Sequence, residues 1–215
     1  MSIQSPKVFI VDDDAPVRRA LGRLLQAAGY EVETFESAAS FLRSASADTP
    51  GCLLLDMAMP ELNGLDVQRA LSGSAGERPI VFLSGQYDLP STVDAMKAGA
   101  VDFLTKPVEE RKLLAAIADA VRLDAEVRHA RTAQLEIRER IASLTPREAE
   151  VFERVIHGRL NKQIAADLGT VEKTIKVHRA RVMQKMRVRT LAELVSMAFM
   201  AGVGQSTKSR VSGSP

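Results

Sequence analysis

At 215 residues, with 46% hydrophobic and 26% charged side chains, the chain can form one large or two small globular domains and is too apolar to be disordered. A lone cysteine, Cys52, excludes an internal disulfide and points to a reducing compartment; no apolar run approaches the ~20 residues of a membrane span, so a cytoplasmic protein without membrane contact is expected. The net charge of +2 conceals an asymmetry, 12 basic against 18 acidic side chains in residues 1–124 and 17 against 9 in residues 125–215, which implies two domains with different partners, the rear one's polyanionic.

The amino terminus carries no basic stretch leading into an apolar one, so no signal peptide is expected. From residue 8 onward, short apolar runs alternate with amphipathic stretches. The runs Val8–Val11, Val32–Phe35, Cys52–Leu55, Ile80–Leu83 and Val101–Leu104 have strand length and almost no polar interruption, the pattern of parallel strands covered on both faces. Helical stretches fall between and after them at about 15–28, 38–45, 64–71, 90–98 and 110–121. Five such repeats predict a doubly wound α/β fold around a five-stranded parallel sheet over residues 1–121, with chemistry at the carboxyl ends of the strands.

Beyond residue 121 the strand pattern stops. Apolar positions from Leu113 through Leu123 and Val127 to Ile137 and Leu144 alternate at three and four, with no Gly or Pro between 108 and 145. One long helix is predicted there, its 122–142 portion a linker; with Ala at three seam positions and Gln134 at another, any coiled coil with a second copy would be weak. Thr145, Pro146 and Glu148 form a capping box that opens a new helix. Helices at about 146–157, 161–168, 172–186 and 190–201 make an all-α domain over 143–201, and the Ser/Gly-rich 202–215 reads as a disordered tail.

Three carboxylates follow strands: Asp12 and Asp13 after the first, Asp56 after the third. At the switch point of a parallel sheet they repel one another unless a cation neutralises them, and hard oxygen ligands suit Mg2+. The fourth strand ends in Ser84-Gly85 and the fifth in Lys106-Pro107. Carboxylates, hydroxyl and lysine together describe a site for a phosphoryl group. Singly, an acidic pair after a strand is more often a helix cap or a solvated loop; five such features at the correct strand ends argue otherwise. A phosphohydrolase of the haloacid-dehalogenase type also uses an aspartate nucleophile, but needs a second Asp two residues on, where this chain has Ala58. No enzyme is expected.

The segments Val11-Asp12-Asp13-Asp14, Leu55-Asp56-Met57-Ala58-Met59-Pro60, Leu83-Ser84-Gly85, Ala95-Met96-Lys97-Ala98-Gly99-Ala100 and Phe103-Leu104-Thr105-Lys106-Pro107 resemble, in order and spacing, the flavodoxin-like receiver domains of two-component response regulators. The resemblance implies that Asp56 accepts a phosphoryl group from a sensor histidine kinase. It further implies that Asp12, Asp13, Asp56 and the backbone carbonyl of Ala58 hold Mg2+, that Ser84 and Lys106 meet the phosphoryl oxygens, and that Lys106-Pro107 is cis. Ser84 and Phe103 would form the switch; the plain alternative for Phe103 is a fixed core aromatic.

The rear half reads as helix, Gly turn, basic helix: Asn161 to Leu168, Gly169, then Glu172 to Met186. Ile175, Val182 and Met186 would form its buried stripe, while Lys173, Lys176, Val177 and Arg179 face outward. A solvated amphipathic helix is the bland alternative. With Leu144-Thr145-Pro146-Arg147-Glu148, these segments resemble the tetrahelical helix-turn-helix of the LuxR/FixJ type, and the whole chain resembles the NarL/FixJ response regulators. That implies DNA contacts by Lys173, Thr174, Lys176, Val177, His178, Arg179 and Arg181, and dimer contacts through helix 190–201. It also implies a phosphorylated homodimer paired through helix 90–98, strand 101–104 and helix 110–121, with promoter DNA and RNA polymerase as partners. Where the family has Ser at the recognition-helix N-cap this chain has Val171; Thr170 is the nearest candidate to replace it.

Overall fold

The computed structural model describes residues 6–44, 49–60, 62–72, 78–85 and 89–203. Residues 204–215, most of the tail expected to be disordered, lie outside that set. The chain divides into two compact units, Met1–Arg128 and His129–Pro215.

The first unit is built on strands β1 (Lys7–Val11), β2 (Glu31–Phe35), β3 (Gly51–Asp56), β4 (Ile80–Ser84) and β5 (Asp102–Thr105). They form one sheet in the order β2-β1-β3-β4-β5, and every pairing is parallel. Their apolar runs follow from burial on both faces: every residue of β3 and β4 is buried. Helices α1 (Ala15–Ala27) and α5 (Glu110–Ala142) cover one face, where Leu21, Leu25, Leu113 and Ile117 pack on Val8, Ile10, Cys52 and Leu54. Helices α2 (Ala38–Ser44), α3 (Gly64–Leu71) and α4 (Leu89–Lys97) cover the other, where Phe41, Val67 and Ala95 meet Phe9, Leu53 and Phe82. This is the predicted doubly wound class. β1 and β3 are neighbours in the sheet, and the chain winds outward on either side of them, so a crevice opens at their carboxyl ends.

Gly51 starts β3 at φ +143°, and a Cβ there would lie 1.8 Å from the Lys7 carbonyl oxygen. Only glycine lets β3 begin so close to β1.

α5 is a single helix of 33 residues, as the three-four periodicity predicted. Its apolar seam is divided. Leu113, Ala116 and Ala120 pack on the sheet, whereas Ile137 and Leu144 belong to the core of the second unit. Between them Leu123 is 39% and Val127 55% exposed.

In the second unit α6 (Pro146–Ile156), α7 (Asn161–Asp167), α8 (Glu172–Met186) and α9 (Leu191–Met200) enclose a core of Val151, Phe152, Ile164, Ile175, Val182, Met186 and Leu194. The predicted capping box is present: Thr145 accepts from the Glu148 amide, and the Glu148 carboxylate accepts from the Thr145 amide at 2.9 Å, with Pro146 in the first turn. No helix among the described residues is long and apolar enough to cross a membrane.

Candidate functional site

The parallel register aligns Val11 with Leu55, so the next residues along β1 and β3, Asp12 and Asp56, emerge side by side. Both are almost wholly buried, and Asp13 beside them is exposed. One carboxylate oxygen from each of Asp12, Asp13 and Asp56 lies within 4.8 Å of the others. Lys106, at the end of β5, places its Nζ 2.6 Å from Asp12 Oδ2 and 2.8 Å from Asp56 Oδ1. Its backbone is pinned by donating to the Ser84 carbonyl at 2.7 Å, and Lys106-Pro107 is cis.

Burial raises the Asp56 carboxyl above its usual range; Asp12 and Asp13 push the same way, while the hydrogen bond and charge of Lys106 oppose. Burial would lower the Lys106 ammonium, but its hydrogen bonds to Asp12 and Asp56 and their charges outweigh that and raise it. Three carboxylates against one ammonium leave a deficit of positive charge. Closely set hard oxygen donors at the switch point suit a divalent cation such as Mg2+.

Ser84 ends β4, buried and paired in register with Thr105. Phe103 on β5 is half-buried, its ring centroid 6.4 Å from that of Phe82. Ala58 stands two residues beyond β3 and is exposed.

Two supporting roles escaped sequence reasoning. Asp14, third in the acidic run, is the N-cap of α1 and accepts from the Val17 amide. Arg18, one turn into α1, donates to the Asp12 carbonyl at 2.5 Å. An i to i+4 spacing from an N-cap Asp was the available signal, though it does not name a backbone acceptor.

In the second unit Ile175, Val182 and Met186 of α8 are buried, as the spacing predicted. Lys173, Lys176, Val177 and Arg181 are exposed; Thr174, His178 and Arg179 are partly covered. Arg179 Nη1 donates to Asn161 Oδ1 at 3.2 Å, so it also ties α8 to the start of α7. His178 Nδ1 is buried with no hydrogen-bond partner among the described residues. Gly169 adopts φ +61°, terminating α7 in the left-handed conformation a short turn demands. Val171 is the N-cap of α8, 65% exposed, and no side chain caps that end. Thr170 does not take over.

Two family models match the chain. One, the response regulator receiver domain, covers residues 8–118; the other, bacterial regulatory proteins of the luxR family, covers residues 142–198. The response regulator protein TodT of Pseudomonas putida is 45% identical over 91% of this chain and 86% of its own length. The transcriptional regulatory protein FixJ of Bradyrhizobium diazoefficiens is 39% identical over 91% and 96%. Among solved structures, the response regulator StyR matches with TM-score 0.81 and 48% identity over 91% of this chain and 98% of that one. A receiver with its acidic pocket and a luxR-type DNA-binding domain together define a two-component response regulator that acts in transcription. This chain belongs to the NarL/FixJ family of such regulators.

Proposed function

We propose that Asp56 is the phosphoacceptor and that its modification by a sensor histidine kinase promotes dimerisation and sequence-specific binding to promoter DNA in the cytoplasm. A carboxylate oxygen of Asp56 attacks phosphorus, the P–N bond to the kinase histidine breaks, the imidazole keeps the electron pair and regains a proton, and an acyl phosphate forms. Mg2+ held by Asp12, Asp13, Asp56 and the Ala58 carbonyl would offset the charge of the carboxylates and the incoming group. Lys106 turns its ammonium from the carboxylates to the phosphoryl oxygens, and the Ser84 hydroxyl donates to one of them. Phe103 then moves into the space Ser84 leaves, altering the α4–β5 face through which two receivers pair.

On α8, Lys173, Lys176 and Arg181 are exposed to meet phosphates or guanine edges, with Thr174, His178 and Arg179 beside them. Val177, 47% exposed, suits a thymine methyl. Leu191, Val195 and Phe199 recur every fourth residue as exposed apolar side chains on α9, which fits a helix paired with its copy on DNA. Promoter-bound dimers then engage RNA polymerase.

The observation that carries this reading is Lys106 bridging Asp12 and Asp56 beside Asp13, a preassembled charge cluster at one strand edge. The test is labelling with acetyl phosphate. The wild type takes up one phosphoryl group in the presence of Mg2+, and Asp56→Asn, folded as judged by circular dichroism, takes up none. Labelling of Asp56→Asn at the wild-type rate overturns the assignment, and an unlabelled wild type makes the domain a binding module that never takes phosphate.

A further inference from the structure

At the opposite, amino-terminal edge of the sheet lies a second charged cluster. Asp124 on α5 is only 3% exposed, unusual for a carboxylate. Its Oδ2 accepts from the Gly51 amide at 2.8 Å, and its two oxygens accept from Arg128 Nε at 2.9 and 2.8 Å. Arg128 Nη2 donates to the Thr49 carbonyl at 2.9 Å. Arg78, buried just before β4, holds its guanidinium 4.2 Å above the Phe9 ring. Burial lowers the Arg78 guanidinium from its usual range, as the neighbouring charge of Arg128 does, while Asp124 opposes.

The cluster begins where apolar packing ends. α5 is held to the sheet by Leu113, Ala116, Ile117 and Ala120, with Val121 packed against them; beyond Val121, Leu123 and Val127 are exposed. From residue 122 to 128, what fastens the helix is one carboxylate and one guanidinium. Buried ion pairs add little net stability compared with apolar contacts, but they fix direction: a carboxylate accepting from a backbone amide and a guanidinium at once allows the helix neither to rotate nor to slide. Three strands join this edge to the acidic pocket. β1 runs from Lys7 to Val11, just before Asp12, β3 from Gly51 to Asp56, and β4 follows Arg78 and ends at Ser84.

We propose that Asp124 and Arg128 are positioning residues that lock residues 122–128 of α5, as helix, to the sheet edge, and that the change at Asp56 reaches the linker helix through this lock. The second half of the proposal rests on Asp56 being the phosphoacceptor. The lock turns strand-end displacements into a defined change in the helix that runs on toward the DNA-binding domain, a coupling carried by a packed element rather than by diffusion of a loose tether.

The test uses the full chain as wild type, Asp124→Asn, Arg128→Gln and the conservative Asp124→Glu, each with and without acetyl phosphate and Mg2+. Hydrogen exchange is read at amides 113–120 and 122–130, and phosphoryl uptake is read in parallel. Amides 122–130 should exchange about tenfold faster in Asp124→Asn and Arg128→Gln than in wild type, while amides 113–120 keep their protection and uptake stays within about twofold. Phosphorylation should change exchange at 122–130 in wild type and in Asp124→Glu but not in the other two. Unchanged exchange at 122–130 in both disruptive variants overturns the lock. So does loss of protection at 113–120 in Arg128→Gln, because the cluster would then be only a stability element; that variant keeps the Asp124 bond to Gly51 and serves where Asp124→Asn fails to fold. Wild type that is phosphorylated without any change at 122–130 overturns the coupling. Wild type that takes up no phosphoryl group refutes the phosphoacceptor assignment instead, and exchange in the unmodified variants still decides the lock.

Discussion

Asp13 is the exposed member of a trio whose oxygens lie within 4.8 Å. Without a cation it adds to an excess of carboxylates that Lys106 only partly offsets, and at such separations a pair of like charges repels by about 1 kcal/mol in water. Asp13→Asn should therefore stabilise the metal-free chain by about 1 kcal/mol and weaken Mg2+-dependent phosphoryl uptake at least ~10-fold, checked by urea unfolding in EDTA and by labelling. Glu148 behaves in the opposite sense. The hydrogen bond from Lys185, at 2.7 Å, and then that from the Thr145 amide hold its carboxyl down at about 2, against 4.5 for a free glutamate. Its folded pKa is depressed, so its stabilisation is present above pH 4.5 and disappears as pH falls toward 2. Glu148→Gln should lower hydrogen-exchange protection in α6 and α8 at pH 7, and the two proteins should converge at the acidic end. Sequence reasoning found Glu148 as half of a capping box but not its partner Lys185, 37 residues on, because nothing local brings α6 and the end of α8 together. Asp124 and Arg128 read along the chain as an ordinary i,i+4 surface pair, and only the fold buries them.

Among the elements, strands and helices were legible wherever hydrophobic period and length agreed. The five apolar runs became five parallel strands, with β1, β2 and β3 starting one residue earlier than the runs and β5 one residue later. α5 was legible as one helix because neither Gly nor Pro interrupts it, yet its seam proved to serve two separate cores, which a three-four pattern cannot distinguish from a coiled coil. α8 is the element with a visible defect. Its first-turn amides have no side-chain acceptor, since valine offers none at the N-cap. Val171→Ser should add about 1 kcal/mol to the stability of the second unit and slow exchange of the Lys173 and Thr174 amides. If thermal unfolding and exchange are both unchanged, the end of α8 is satisfied by other means.

At the scale of the whole chain, the charge asymmetry was the earliest legible feature and it marks two different chemistries. The acidic half gathers carboxylates where parallel strands end, and the basic half presents lysines and arginines on one helix. The pocket was readable because residues from β1, β3, β4 and β5 must meet at one edge of a parallel sheet, whatever the loops do. The opposite edge was not, since it has no motif and depends on a buried carboxylate meeting a backbone amide 73 positions away.

Fixing both ends of a strand has an evolutionary consequence. β3 must present Gly51 to Lys7 at one end and Asp56 to Lys106 at the other, in a strand of six residues counting both. Inserting or deleting a single residue would reverse the facing of every side chain past the change and leave either the glycine or the aspartate out of place. Descendants of this chain are therefore free to vary the identity of its inner β3 residues but not their number, and length variation must be absorbed by the loops.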